Sequence, residues 1–167
     1  MEDKTVILVP MTEDEFEAYL LWAIPDYAQD NVRSGSWAES EAMQKAEEQF
    51  RELLPQGLHT PDNYHFSIRD PGRNSSSVGM LWFRLFGDRP GTPAFLFQFW
   101  IDEAFRRRGY GLAALRALED EVEALGGSTV QLHVFGHNAP ARALYEKAGY
   151  VVTNLNMAKA VGRTEGS

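Results

Sequence analysis

Phe105–Ala114 reads FRRRGYGLAA. Three arginines abut a Gly-x-Gly where an apolar periodicity begins. Leu112, Leu115, Leu118, Val122 and Leu125 recur at helical spacing, and Gly126–Gly127 closes the run, so a helix is predicted. Amides at a helix N-terminus point outward and carry partial positive charge, and glycine lets an anion come close to them. Neighbouring guanidinium groups add charge-assisted contacts. The stretch therefore predicts a phosphate or pyrophosphate on Arg107 to Leu112. The plainer account is a glycine-rich helix start with solvated arginines.

Outward from this stretch, strands and helices mix. Thr5–Pro10 (TVILVP) reads as a strand. Thr12 with Glu15 makes a capping box for a helix that Pro25 should end. A second box, Ser36 with Glu39, should open a helix striped by Met43, Ala46, Phe50, Leu53 and Leu54 and stopped at Pro55 and Gly57. YHFSIRD, SVGMLWFRLF and AFLFQFWID read as strands of an antiparallel meander, separated by PGRNSSS and GDRPGTP. TVQLHVF predicts a further strand, NAPARALYEKAG a helix, YVVTNLNMAKAV one or two closing strands, and GRTEGS a frayed tail. The class is α/β (α+β) around a largely antiparallel sheet.

GYGLAA also fits G-x-G-x-x-A, but a nicotinamide dinucleotide site fits poorly. DEAFRRR intervenes between strand and first glycine, and TVQLHVF lacks the acid expected downstream. No Gly-Lys-Ser/Thr follows, which excludes a P-loop.

The chain has 167 residues, no cysteine and a formal net charge of −8. It reads as one domain over 1–167. The missing cysteine excludes a disulfide scaffold, a thiol nucleophile and a cysteine zinc site, and fits a reducing, cytoplasmic setting. No signal peptide or bilayer-spanning run is read, so no membrane partner is expected. The acidic balance disfavours nucleic acid and favours a cationic partner. Yet Arg84, Arg89, Arg106, Arg107, Arg108 and Arg116 cluster in the middle, as a local anion site requires.

Two motifs in order resemble the GNAT (Gcn5-related) N-acetyltransferases, especially bacterial members. The first is Arg106-Arg107-Arg108-Gly109-Tyr110-Gly111, against the family's Arg/Gln-x-x-Gly-x-Gly/Ala. The second is LHVFGHNAPARALYEKAGY (Leu132–Tyr150), with Asn138, Ala141, Tyr145, Gly149 and Tyr150 at the family's spacing. The likeness covers about residues 78–160, the expected acetyl-CoA-binding core. It implies a mixed, mostly antiparallel sheet of six to seven strands flanked by about four helices, with acceptor-side helices about 12–55. It also implies that acetyl-CoA lays its pantetheine arm along Phe99, Trp100 and Ile101, beside Asn138, and its pyrophosphate on Arg107 to Leu112, with Arg106 in the motif's first position. Tyr145 matches the tyrosine that protonates the leaving thiolate. No metal is implied.

The base is harder to read. Many relatives carry a glutamate where AFLFQFWI has Gln98, and an amide cannot take a proton. A second family position, twelve residues before the tyrosine, is His133. Imidazole suits proton removal near neutrality, although a half-buried structural histidine is the plainer account. His137, Asp102 and Glu103 are weaker candidates. On the acceptor side, Trp22, Tyr27 and Trp37 with Asp26 and Asp30 suit an amine through cation–π and charge contacts, or are simply core. The expected activity is direct acetyl transfer to a primary amine, either a small amine or a peptide N-terminus. A non-catalytic acyl-CoA sensor is the alternative. Many relatives dimerise, so a homodimer is a further expectation.

Overall fold

Alternating β-branched and aromatic residues build a sheet that positions everything else. In the computed structural model, which describes residues 3–162, the chain runs β1 (Ile7–Pro10), α1 (Glu13–Arg33), α2 (Glu39–Leu53), β2 (Asn63–Asp70), β3 (Ser76–Leu85), β4 (Thr92–Ile101), α3 (Tyr110–Ala124), β5 (Gly127–Leu132) and α4 (Ala139–Lys147). Strand order is β1-β2-β3-β4-β5. The first four strands form the antiparallel meander, and β5 joins β4 in parallel after the α3 crossover.

Each face of the sheet carries its own core. Ile68, Leu81, Phe83 and Leu96 pack under Ala114, Leu115, Leu118 and Val122 of α3. Met80 and Trp82 point the other way, into Phe16, Tyr19 and Ala23 of α1 and Phe50 of α2. Ala28, Ala42 and Ala46 are small enough to let α1 and α2 lie close together.

The structure departs from the sequence reading in several places. Helix α1 continues through Pro25 to Arg33. Proline removes one helical hydrogen bond, but Pro25 is exposed. The carbonyl it deprives, that of Leu21, belongs to a residue 80% exposed, so solvent satisfies it while the buried face runs on through Ala28 and Asn31. The Thr12–Glu15 capping box is present. The Ser36–Glu39 box is not: Ser36 bonds Ser34, and the Glu41 carboxylate reaches back to the Ala38 amide at 3.3 Å. The α2 stripe keeps Ala46, Phe50 and Leu54 buried as expected, but it begins at Ala42 and leaves Met43 exposed. At the end of α3, Leu125 is exposed as well.

Among the described residues the sheet has five strands, not six to seven. Strand β5 stops at Leu132 instead of Phe135. Val151–Val161, expected as closing strands, form none and are exposed throughout. Strand propensity needs a neighbouring ladder to act on, and among the described residues this segment pairs with no strand. The expected frayed tail falls, after Gly162, outside the described residues.

Candidate functional site

Strands β4 and β5 part company midway, and the site grows from that parting. Their pairing covers only Thr92–Leu96 of β4. On the other side, Trp82 pairs with Gln98 and Phe83 with Leu96, so Phe97 is an extra, bulged residue. A bulge bends its strand, and here it sits where β5 leaves. Beyond it Phe99, Trp100 and Ile101 pair with β3 alone, and their outer edge faces no strand. Gly79 lets β3 lie close here, since a Cβ at that position would meet the Trp100 carbonyl at 2.0 Å.

The arginine–glycine turn follows directly. Arg107 and Gly109 both adopt the left-handed conformation, with φ of 60° and 89°. This throws the chain abruptly into α3. Among the described residues, no amide from Arg107 to Leu112 donates a well-formed hydrogen bond to a protein acceptor. Six consecutive donors at the positive end of a fifteen-residue helix make a cradle for an anion. The side chains do other work. The Arg106 Nε donates to the Ile101 carbonyl at 2.8 Å, and its guanidinium lies 4.5 Å from the Trp100 ring centroid. Arg107 and Arg108 are exposed and face solvent-borne charge. Tyr110 is 1% exposed; its hydroxyl donates to the Asp70 carboxylate, which also accepts from the Gly72 amide. The Tyr110 hydrogen bond holds the Asp70 carboxyl below its usual range, and Asp70 raises the Tyr110 phenol in turn. A Cβ on Gly111 would approach Leu144 Cδ2 to 2.8 Å, so glycine lets α4 lie against the start of α3.

Helix α4 brings Tyr145 to the parted strands. Its ring meets Phe99 edge-on at 6.2 Å and Tyr150 at 5.8 Å. Burial pushes its phenol up to about 12, so it keeps its proton across the physiological range. Asn138, expected beside the ligand, caps α4: its Oδ1 accepts from the Ala141 amide at 3.3 Å. Its side-chain NH₂ is left for another acceptor.

The opposite face is acidic and aromatic. Helix α1 packs on this face, and Trp22, Asp26 and Asp30 recur every fourth residue along it. Trp22 lies 5.0 Å from Trp100. Asp30 Oδ1 accepts from His137 Nε2 at 2.9 Å, which ties α1 to the loop between β5 and α4. His137 stacks on Phe135, and Phe135 meets His133 edge-on at 4.8 Å. His133 thus lies one residue past β5, exposed, on this aromatic loop; its ring packs on Phe135, whereas that of Tyr145 packs on Phe99 and Tyr150. Partial burial raises the Asp26 carboxyl above its usual range, and Asp30 adds to the effect. Beneath Trp22 and Trp100 lies an open cleft of about 200 Å³ whose lining includes Glu15, Tyr19 and Asp102. The Tyr19 hydroxyl donates to Gln98 Oε1 at 3.3 Å, so Gln98 is held by a neighbour. The sequence signals Asp26 and Asp30 but not the His137 link, the Phe97 bulge or the folding back of Arg106. Among the described residues no group of three acids or histidines could hold a metal ion.

Comparisons with known proteins point to one family. The model of the acetyltransferase (GNAT) family matches residues 17–150. The chain is 36% identical over 155 residues to the uncharacterized N-acetyltransferase YycN of Bacillus subtilis, covering 93% of this chain and 98% of that protein. It is 37% identical over 154 residues to the uncharacterized N-acetyltransferase YdgE of the same organism, covering 91% and 96%. The crystal structure of the Bacillus subtilis putative acetyltransferase YycN superposes with a TM-score of 0.89 at 34% identity, covering 95% of this chain and all of that one. A 57-residue stretch, 34% of this chain, is 44% identical to the [ribosomal protein bS18]-alanine N-acetyltransferase of Escherichia coli, of which it covers 38%.

Proposed function

Because the chain belongs to the GNAT acetyltransferase family and is thus an acyltransferase, we propose that it transfers acetyl from acetyl-CoA directly to a primary amine within a ternary complex. The supporting observation is the fork itself. An unpaired β4 edge runs toward six unpartnered amides, with a protonated tyrosine on one face and an acidic aromatic surface on the other.

The residues fit the donor well. The Arg107–Leu112 amides, with the exposed Arg107 and Arg108, hold the pyrophosphate. Backbone groups of Phe99, Trp100 and Ile101 hold the pantetheine arm as an added strand would be held. Arg106 acts here through Ile101 and Trp100, fixing that edge. Asn138 offers its free NH₂ to the same arm.

The thioester supplies an electrophilic carbonyl, and the chain supplies the proton traffic. Tyr145 donates to the departing sulfur from the α4 face. Asp26 and Asp30 draw an ammonium to the α1 face, where Trp22 and Trp100 cover its alkyl part. His133, or a water it holds, removes the amine proton. The two substrates arrive from opposite sides of the sheet, so no covalent acyl-enzyme is needed, and no cysteine exists to form one. The acceptor is a small amine or a peptide N-terminus. The protein acts as one domain in the cytoplasm; no helix among the described residues is long and apolar enough to cross a membrane.

Thermal unfolding with acetyl-CoA, CoA and NAD in parallel tests the donor. A ligand at a hundredfold its Kd adds about 2.7 kcal/mol, or a rise of roughly 5–10 °C for a domain of this size. A rise with the CoA species and none with NAD is expected; no rise with acetyl-CoA would sink the proposal. Tyr145→Phe should then lower kcat by roughly a hundredfold with the thermal shift intact.

A further inference from the structure

The cleft beneath Trp22 and Trp100 has a chemistry that acetyl transfer alone does not require. Its volume is about 200 Å³, below the roughly 300–1,000 Å³ of a pocket for a drug-sized ligand. It suits a short chain rather than a bulky ring system. Met11 and Met80 line it together with Tyr19, Trp22 and Trp100. Its polar side chains have few hydrogens to offer. The Ser67 hydroxyl donates to Ser77 at 3.1 Å, Ser77 to the Gly79 carbonyl at 3.3 Å, and Tyr19 to Gln98 at 3.3 Å. Glu15 and Asp102 bring only lone pairs. Apart from the two indole N–H groups, no side chain of the lining has a donor left over. The two carboxylates differ. Glu15 accepts from the Thr12 amide at 3.1 Å and from Arg69 Nη2 at 3.2 Å. Asp102 precedes a short helical turn, yet its side chain caps no amide there, and no ion pair among the described residues uses it. Arg106 is turned away onto the Trp100 ring and the Ile101 carbonyl.

We propose that this cleft is a second cation subsite, and that the acceptor is a short alkyl diamine. For the reacting end, the inference rests on the acetyl transfer proposed above. One nitrogen enters the fork from the side of Asp26. The alkyl spacer lies under Trp22 and Trp100, and the far ammonium sits at Asp102 against the aromatic faces. Asp102 follows Trp100 by two residues, about 7 Å farther along the strand direction, which a spacer of roughly four or five carbons spans. The near ammonium sheds two protons, one to the departing sulfur and one to solvent. Its nitrogen bonds the acetyl carbon as the carbon–sulfur bond breaks, and the far ammonium keeps its charge throughout. A carboxylate in place of the far ammonium would meet Asp102 and Glu15 with only indole N–H groups to receive it, so amino acids of that length are rejected.

Calorimetric titration of the full chain, with and without CoA, compares cadaverine, pentylamine and δ-aminovalerate, which share a spacer and differ at the far end. Cadaverine should bind about tenfold more tightly than pentylamine, and δ-aminovalerate more weakly than either. Asp102→Asn keeps the shape and removes the charge, and should bring cadaverine to within about threefold of pentylamine. Trp22→Leu keeps an apolar wall without its aromatic face, and should weaken cadaverine more than pentylamine. Circular dichroism checks that both variants fold. Equal binding of cadaverine and pentylamine, or a cadaverine preference indifferent to both variants, would overturn the proposal. Thiol release from acetyl-CoA, followed in parallel, separates it from the transfer reaction. Selective, Asp102-dependent diamine binding without turnover would uphold the subsite and overturn the transfer. Turnover of all three amines at one rate would overturn the subsite and uphold the transfer.

Discussion

At His65 the fold buries a titratable ring with nothing to bond. It is 4% exposed, stacked on Trp82 at 5.0 Å and edge-on to Phe16 at 5.1 Å, and neither ring nitrogen has a protein partner. Burial lowers its pKa from 6.5 to about 4. Between those values the unfolded chain binds the proton and the folded one does not, so stability falls as pH drops below 6.5 and the loss is complete below about 4. The expected loss from pH 7.5 to pH 5 is about 2 kcal/mol. Urea titrations should show that much less acid sensitivity in His65→Phe; equal sensitivity in both proteins would contradict this. Gly109 makes a different demand. Its φ of 89° is left-handed, so Gly109→Ala should cost about 1–2 kcal/mol and weaken acetyl-CoA binding as the amides turn away. The arginine–glycine turn and the Tyr145 helix were legible because each is a local pattern within a few residues. The His137–Asp30 bond, spanning 107 positions, was not. Nor does sequence show that Arg106 turns back to Ile101, since that depends on a tertiary path.

Pro25 shows where an element outgrows its local signals. Proline was read as a stop, yet α1 runs on because the face opposite Pro25 stays buried. Pro25→Ala restores a hydrogen bond on an exposed face and should stabilise the protein by about 1–3 kcal/mol. If the proline also sets the path of Asp26 and Asp30 over the fork, KM for amines should rise in the same variant while acetyl-CoA binding stays constant. Steady-state kinetics beside urea denaturation separates the two effects. The central strands were legible from alternation and turn residues. The closing strands were misread for a physical reason: Val151–Val161 has the composition of a strand, but composition does not say whether a ladder forms, and among the described residues the segment pairs with no strand.

For the molecule as a whole, acidity is a steering device. A net charge of −8 attracts cations from a distance, and in the proposed function Asp26 and Asp30 receive them. Raising ionic strength from about 0.01 to 0.15 M shortens the screening length from roughly 30 to 8 Å. KM for a dicationic amine should therefore rise a few-fold and kcat hold. A KM indifferent to salt would place recognition in short contacts alone. The fork has a consequence of another kind, for the order of assembly. Strands β2 to β4 close through hairpins, whereas β1 must wait for α1 and α2 and β5 for α3 to cross the sheet, and contacts distant along the chain form late. Only Thr92–Leu96 then fastens β5 to β4. The opening proposed to admit the donor is thus also the least fastened seam of the sheet, and a ligand lodged there should act as a rivet against unfolding.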